Sequence, residues 1–168
     1  MIEKLNSYSN LKPINTERVY TGNLPHWELP GNVYFITVST FSDYELTDAA
    51  KDIVFAAIKF HDNKKYKLYA CAVMTTHVHL VLQPLEESAG NYYSLAQIIH
   101  SIKSYTTNKI QRTLNKSGRI WLDETYDRVI RDDNDFYTKM NYIMNNPVKA
   151  GLVETPDKYK WLYYRGFG

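Results

Sequence analysis

His77 and His79 stand two residues apart in "VMTTHVHLVLQP", Val73 to Pro84, within an otherwise apolar strand pattern. Strand side chains alternate between faces, so His77, His79 and Val81 point one way while Val78, Leu80 and Leu82 point the other. The second set is an ordinary buried face. The first sets two imidazoles side by side. They are either bonded to neighbours on a half-exposed sheet face or ligands of one divalent ion, which needs at least one more ligand from elsewhere. A late helix offers a candidate. At roughly 100° per residue, Phe136, Met140, Ile143 and Met144 fall in a narrow apolar arc. Tyr142 and Asn146 lie away from that arc, four apart on one face, with Lys139 and Lys149 close by. Such a tyrosine is either a partly exposed surface residue or part of a functional site.

These residues need elements to hold them. "NVYFITVSTF" reads as a strand, rich in β-branched and aromatic residues. "TDAAKDIVFAAIKFHDN" reads as a helix capped by Thr47 or Asp48, with Ile53, Ala57 and Phe60 in a stripe beside Val54 and Ile58. "YKLYACAVM" and "HVHLVLQP" form a hairpin that turns near Thr75 and Thr76. "SLAQIIHSIKSYTTNKIQRTL" is a long helix with Leu95, Ile98, Ile99, Ile102 and Tyr105 inward. A strand ends within Arg128 to Arg131, and "DDNDFYTKMNYIMNN" is a final helix stopped by Pro147 and Gly151. The pattern predicts an α+β fold: a ferredoxin-like antiparallel sheet (β-α-β-β-α-β) with an additional C-terminal helix carrying the tyrosine. Residues 1–30 read as an irregular arm packed on the domain through Trp27 and Leu29, 31–155 as the domain itself and 156–168 as a C-terminal tail.

A chain of 168 residues with 44% hydrophobic and 23% charged residues is ordinary for one soluble domain. The formal net charge of +2 does not announce a nucleic-acid binder, but charge is uneven along the chain. Between Ile99 and Arg131, seven basic residues face three acidic ones, and the 15 tyrosines include rings on which bases could stack. Lys103, Lys109, Arg112, Arg128 and Arg131, with Lys139 and Lys149, are the candidate nucleic-acid contacts. The single cysteine, Cys71, excludes an intrachain disulfide and suits a reducing cytoplasm. No stretch approaches the apolar length of a membrane span or leader, so a soluble, cytoplasmic protein without a membrane partner is expected. The absence of a Gly-rich phosphate loop and of an Asp/Glu constellation argues against ATP dependence and two-metal carboxylate chemistry.

"HVHL" after "AVMTT", with "NYIMNNPVKAGLV" downstream, closely resembles the single-tyrosine HUH transposases, nearest to the REP-associated tyrosine transposases and their insertion-sequence relatives. "LPHWELPGNVYFITVST" and "IWLDETYDRVIRDDNDF" extend the resemblance over roughly residues 20 to 155. It implies that the domain over 31–155 is a single-tyrosine transposase domain, with His77 and His79 holding a divalent metal, Mg²⁺ or Mn²⁺. It further implies Tyr142 as the nucleophile and Asn146 as the polar residue completing the metal site. Tyr105 is the rival nucleophile, set behind Tyr142 because it falls in its helix's apolar stripe. The implied reaction is cleavage and rejoining of single-stranded, hairpin-bearing DNA through a 5′-phosphotyrosine intermediate. The alternative is a catalytically silent single-stranded DNA- or RNA-binding protein of the same fold. A phosphoesterase with two His-x-Thr/Ser motifs fits poorly, since only one His-x-His occurs. Some relatives exchange the tyrosine helix within a homodimer and others complete the site in one chain, which leaves both arrangements open.

Overall fold

The computed structural model describes residues 29–166, so the expected arm lies outside the described residues except for its last two. The elements run β1 (Tyr34–Ser39), α1 (Asp48–Phe60), β2 (Tyr66–Val73), β3 (His77–Pro84), β4 (Glu86–Ser88), β5 (Asn91–Tyr92), α2 (Leu95–Leu114), β6 (Tyr126–Val129), α3 (Asp133–Lys149) and β7 (Leu162–Tyr164). An antiparallel five-stranded sheet has the order β6-β1-β3-β2-β7, and β4 pairs with β5 in a separate small hairpin. The order β6-β1-β3-β2 is the expected ferredoxin-like arrangement. Among the described residues, no helix is long and apolar enough to cross a membrane.

Local chemistry sets the helix ends. Thr47 Oγ1 accepts a hydrogen bond from Ala50 N at 3.3 Å, so Thr47 rather than Asp48 caps α1. Ser94 caps α2 in the same way, and Asp132 caps α3 by accepting from Asp135 N at 2.8 Å. Asp133 and Asp135 lie in the first turn of α3, where the helix dipole favours negative charge. Contrary to the expectation from sequence, Pro147 does not end α3; it lies on the buried face and the helix continues to Lys149. Proline removes one N–H donor, and a last turn packed on the sheet tolerates that loss. The reversal comes at Gly151, whose φ of +70° favours a residue without Cβ.

The two sheet faces carry different loads. Val38, Val78 and Leu80 meet Val54 and Ile58 of α1, Ile99 and Ile102 of α2, and Trp121. α3 packs on the opposite face, chiefly on β2 and β3. Two residues assigned to the inner stripes point outward instead: Phe60 is 62% exposed and Tyr105 55%. Thr106 takes the inward place beside Tyr105. Its hydroxyl donates to Ile102 O at 2.7 Å and accepts from Trp121 Nε1 at 2.9 Å, so a polar group is buried without losing its bonds. Trp121 is part of the core.

Residues after 155 do more than trail from the domain. Tyr159 and Trp161 are buried, and the Tyr159 hydroxyl donates to Val73 O at 2.8 Å. β7 then pairs with β2, and the Arg165 guanidinium binds both Asp62 carboxylate oxygens at 3.0 Å. A three-residue strand is too short for alternation to reveal.

Two stability predictions follow from burial. Ile143 of α3 is 0% exposed, so Ile143→Ala is expected to cost about 2–5 kcal/mol in urea unfolding. Cys71 is fully buried on β2, which pushes its thiol pKa up to about 12. Ellman's reagent should therefore leave the native thiol untouched at pH 8 and react once denaturant unfolds the chain.

Candidate active site

Sheet register assembles the first half of the site. Across β1 and β3, Ser39 faces His77, Thr37 faces His79 and Phe35 faces Val81. Thr37 and Phe35 therefore lie on the histidines' face, and β6 adds Tyr126 opposite Thr37 and Arg128 opposite Phe35. The turn before His77 is pinned from two sides. Thr40 donates its N–H and its hydroxyl to Thr76 O, at 2.8 and 3.0 Å, and Leu46 N donates to Thr75 O at 2.8 Å.

α3 brings the second half. The His77 and His79 ring centroids are 4.6 Å apart, and the Tyr142 ring lies 5.1 Å from that of His79. Asn146, one turn further on, shares a side-chain hydrogen bond with His77. Phe35 is the floor of the group, with its ring centroid 5.7 Å from His79 and 5.8 Å from Tyr142. One chain thus supplies all four residues. Tyr142 is 38% exposed while His79 is 4% exposed, so the phenol is open to a substrate and the imidazole is shielded.

His79 Nδ1 and Thr37 Oγ1 are hydrogen-bonded at 2.9 Å, and the buried Nε2 finds no partner among the described residues. Burial first, then the adjacent His77 and Lys139, lowers the His79 pKa to about 3. Burial also lowers that of His77, against the opposing hydrogen bond from Asn146. Both rings are accordingly neutral at pH 7, the state in which imidazole is a ligand. Among the described residues no group of three His, Cys, Asp or Glu side chains converges, and the polar side chain beside the two imidazoles is the Asn146 amide. Two neutral imidazoles and an amide, one nitrogen orphaned and dry, fit a divalent cation and leave its charge uncompensated.

The remaining basic residues divide sharply. Lys139 Nζ lies 4.7 Å from the Phe35 ring centre and 5.9 Å from that of Tyr142, and Lys149 Nζ is also 5.9 Å from Tyr142. Lys103 is committed elsewhere: its ammonium donates to the carbonyls of Leu122, Asp123 and Glu124 and, at 2.6 Å, to Thr125 Oγ1. Arg128 holds both Asp135 carboxylate oxygens at 2.5 Å and so ties β6 to the start of α3. Arg131 is exposed before α3, whereas Lys109 and Arg112 are exposed on α2, which packs against the other face of the sheet. Arg128→Ala is expected to cost roughly 1–2 kcal/mol of stability and leave the salt slope of DNA binding unchanged. Lys139→Ala should instead lower that slope by about one, measured by fluorescence anisotropy across a salt series.

Phe35, Thr37 and Tyr126 escape a reading of the sequence. Alternation puts Phe35 and Thr37 on one face of a strand, but nothing local says that this strand pairs with β3 in a register opposing Thr37 and His79.

The family model described as IS200-like transposase matches residues 40–146, an interval that contains His77, His79, Tyr142 and Asn146. A curated Haemophilus influenzae protein named as a REP-associated tyrosine transposase is 29% identical over 133 residues, 74% of each chain. A solved REP-associated tyrosine transposase bound to a REP hairpin has the same fold, with a TM-score of 0.66 at 19% identity over 84% of this chain and 82% of that one. The family match covers the hairpin, both long helices and the tyrosine segment, and with it the chain belongs to the IS200-like transposase family.

Proposed function

We propose that this chain cleaves and rejoins single-stranded DNA by transesterification at Tyr142, with a divalent cation, Mg²⁺ or Mn²⁺, held by His77, His79 and Asn146. The observation that carries the reading is the Tyr142 ring 5.1 Å from the His79 ring within a single chain. Tyr142 Oη attacks the scissile phosphorus in line. The bond from phosphorus to the 3′ oxygen breaks, which leaves a 5′-phosphotyrosine link and a 3′-hydroxyl. The phenol gives up its proton to solvent, and the departing oxygen takes one. One phosphodiester replaces another, so attack by a 3′-hydroxyl reverses the step without ATP.

Lys139 and Lys149, each with its ammonium 5.9 Å from the Tyr142 ring centre, attract the phosphate backbone to the nucleophile. His79 stays neutral because it is buried, and Thr37 fixes its ring. When bound, the cation supplies Lewis-acid polarisation of the scissile phosphate and charge stabilisation at the leaving oxygen. Tyr142 acts in cis in this reading, which is supported by the proximity of Tyr142 and the paired histidines within one chain. The substrate is DNA with a hairpin next to the cleaved strand, a reading supported by the hairpin bound to the solved relative.

The test is incubation of the full chain with labelled, hairpin-bearing single-stranded DNA and Mn²⁺. A protein–DNA species that survives denaturing electrophoresis and vanishes with EDTA is expected. Tight binding without such a species would identify a silent binding protein instead.

A further inference from the structure

Tyr126 is the first residue of β6, the outer strand of the sheet, and its side chain is 58% exposed. Register puts it on the same face as the site: Tyr126 opposes Thr37, and Thr37 opposes His79. Two strand spacings, roughly 10 Å, therefore separate Tyr126 from His79 along that row. Its ring meets Phe35 edge to face, at 6.4 Å and 71°. Phe35 is also the ring that Tyr142 and His79 touch, so Tyr126 and Tyr142 are linked through one buried aromatic.

The surroundings make this ring a fixed platform. Among the described residues no other ring or cation lies over it. The four residues leading into Tyr126 are tied down by Lys103, through the carbonyls of Leu122, Asp123 and Glu124 and the Thr125 hydroxyl. Asp127, the next residue, opposes Ile36 and so projects from the other face of the sheet, away from an approaching phosphate. Lys139 stands over Phe35, the ring that both tyrosines meet, where it can neutralise a phosphate of the passing strand. Among the described residues β6 has a sheet neighbour on one side alone, so an extended strand can pass over this edge.

We propose that Tyr126 is a base-stacking subsite for the unpaired nucleotide adjacent to the scissile phosphate. This deepens the function proposed above and rests on it for the location of that phosphate. Stacking tolerates any base, since each has a π face, so the subsite adds affinity and positions the strand without reading its sequence.

The test uses the full chain, as native protein and as Tyr142→Phe, with oligothymidylate in which one base is 5-iodouracil, irradiated and mapped by mass spectrometry. Crosslinks at Tyr126 in both proteins are expected, because stacking does not need cleavage. Tyr126→Leu should weaken binding of the same oligonucleotide about 5- to 100-fold, while Tyr126→Phe stays within about twofold. Crosslinks that map elsewhere, or unchanged affinity in a folded Tyr126→Leu protein, overturn the proposal. Equal losses for the Leu and Phe proteins also overturn it, since they would assign the effect to the hydroxyl. Crosslinking at Tyr126, with no covalent adduct when the native protein is given the hairpin-bearing DNA and Mn²⁺, would uphold Tyr126 as a base-stacking site and remove the cleavage reading alone.

Discussion

Tyr142→Phe is expected to abolish the covalent protein–DNA adduct, a loss on the order of a thousandfold or more, while noncovalent DNA affinity stays within about twofold. The substitution removes one oxygen and little else. The phenylalanine ring keeps the edge contacts to His79 and Phe35, whose centroids lie 5.1 and 5.8 Å away. The lysine ammoniums 5.9 Å from the ring centre keep a π face to rest against. The Tyr142 hydroxyl makes no hydrogen bond to a described residue, and the side chain is 38% exposed, so stability should change by less than about 0.5 kcal/mol. A denaturing gel with labelled DNA reads the adduct, and anisotropy reads the binding. Tyr105→Phe is the contrasting control. Tyr105 is on α2, against the sheet face opposite α3, and removing its hydroxyl should leave adduct yield intact. An adduct that persists in the Tyr142→Phe protein, or disappears in Tyr105→Phe, would move the nucleophile elsewhere.

The chemistry was more legible in the sequence than the surface around it. Period-two alternation put His77 and His79 on one strand face, and the helical period separated Tyr142 and Asn146 from the buried arc of Phe136, Met140 and Ile143. Both follow from local geometry, so both survive folding. What failed were the statements that depend on a neighbour. Tyr105 looks apolar enough for its stripe, yet Thr106 displaces it because Trp121 Nε1 needs an acceptor there. Lys103 and Arg128 look like free cations in a basic segment. Their partners are loop carbonyls some twenty residues away in one case and a carboxylate on the next helix in the other, and no spacing rule announces either. β7 carries three residues and is defined entirely by the strand it joins. Charge composition locates a segment; tertiary contacts decide which of its charges are available to a partner.

His79→Leu carries the second large effect, and it is expected to separate stability from chemistry. The buried His79 Nε2 has no partner among the described residues, a desolvation cost of about 1–3 kcal/mol. Leucine removes that atom and fills a similar volume against Phe35. The Thr37 hydroxyl it deserts is half-buried and can turn to water. In EDTA, therefore, the His79→Leu protein should be as stable as the native chain or more stable by about 1 kcal/mol in urea unfolding. Adding Mn²⁺ should raise the native Tm and leave that of the variant unmoved, because a ligand stabilises only a fold that binds it. Adduct formation should fall on the order of a thousandfold, matching the several kcal/mol that a phosphate-bound cation contributes to the transition state. Thr37→Val gives the graded form of the same argument. It keeps both imidazoles but releases the His79 ring, so Mn²⁺ affinity measured by calorimetry should drop about 10–100-fold while the metal-saturated rate changes far less. A His79→Leu protein that keeps Mn²⁺-dependent adduct formation would show that the paired imidazoles hold no catalytic ion. A strongly destabilised one would show instead that His79 serves the core, and its orphaned nitrogen would then need another explanation.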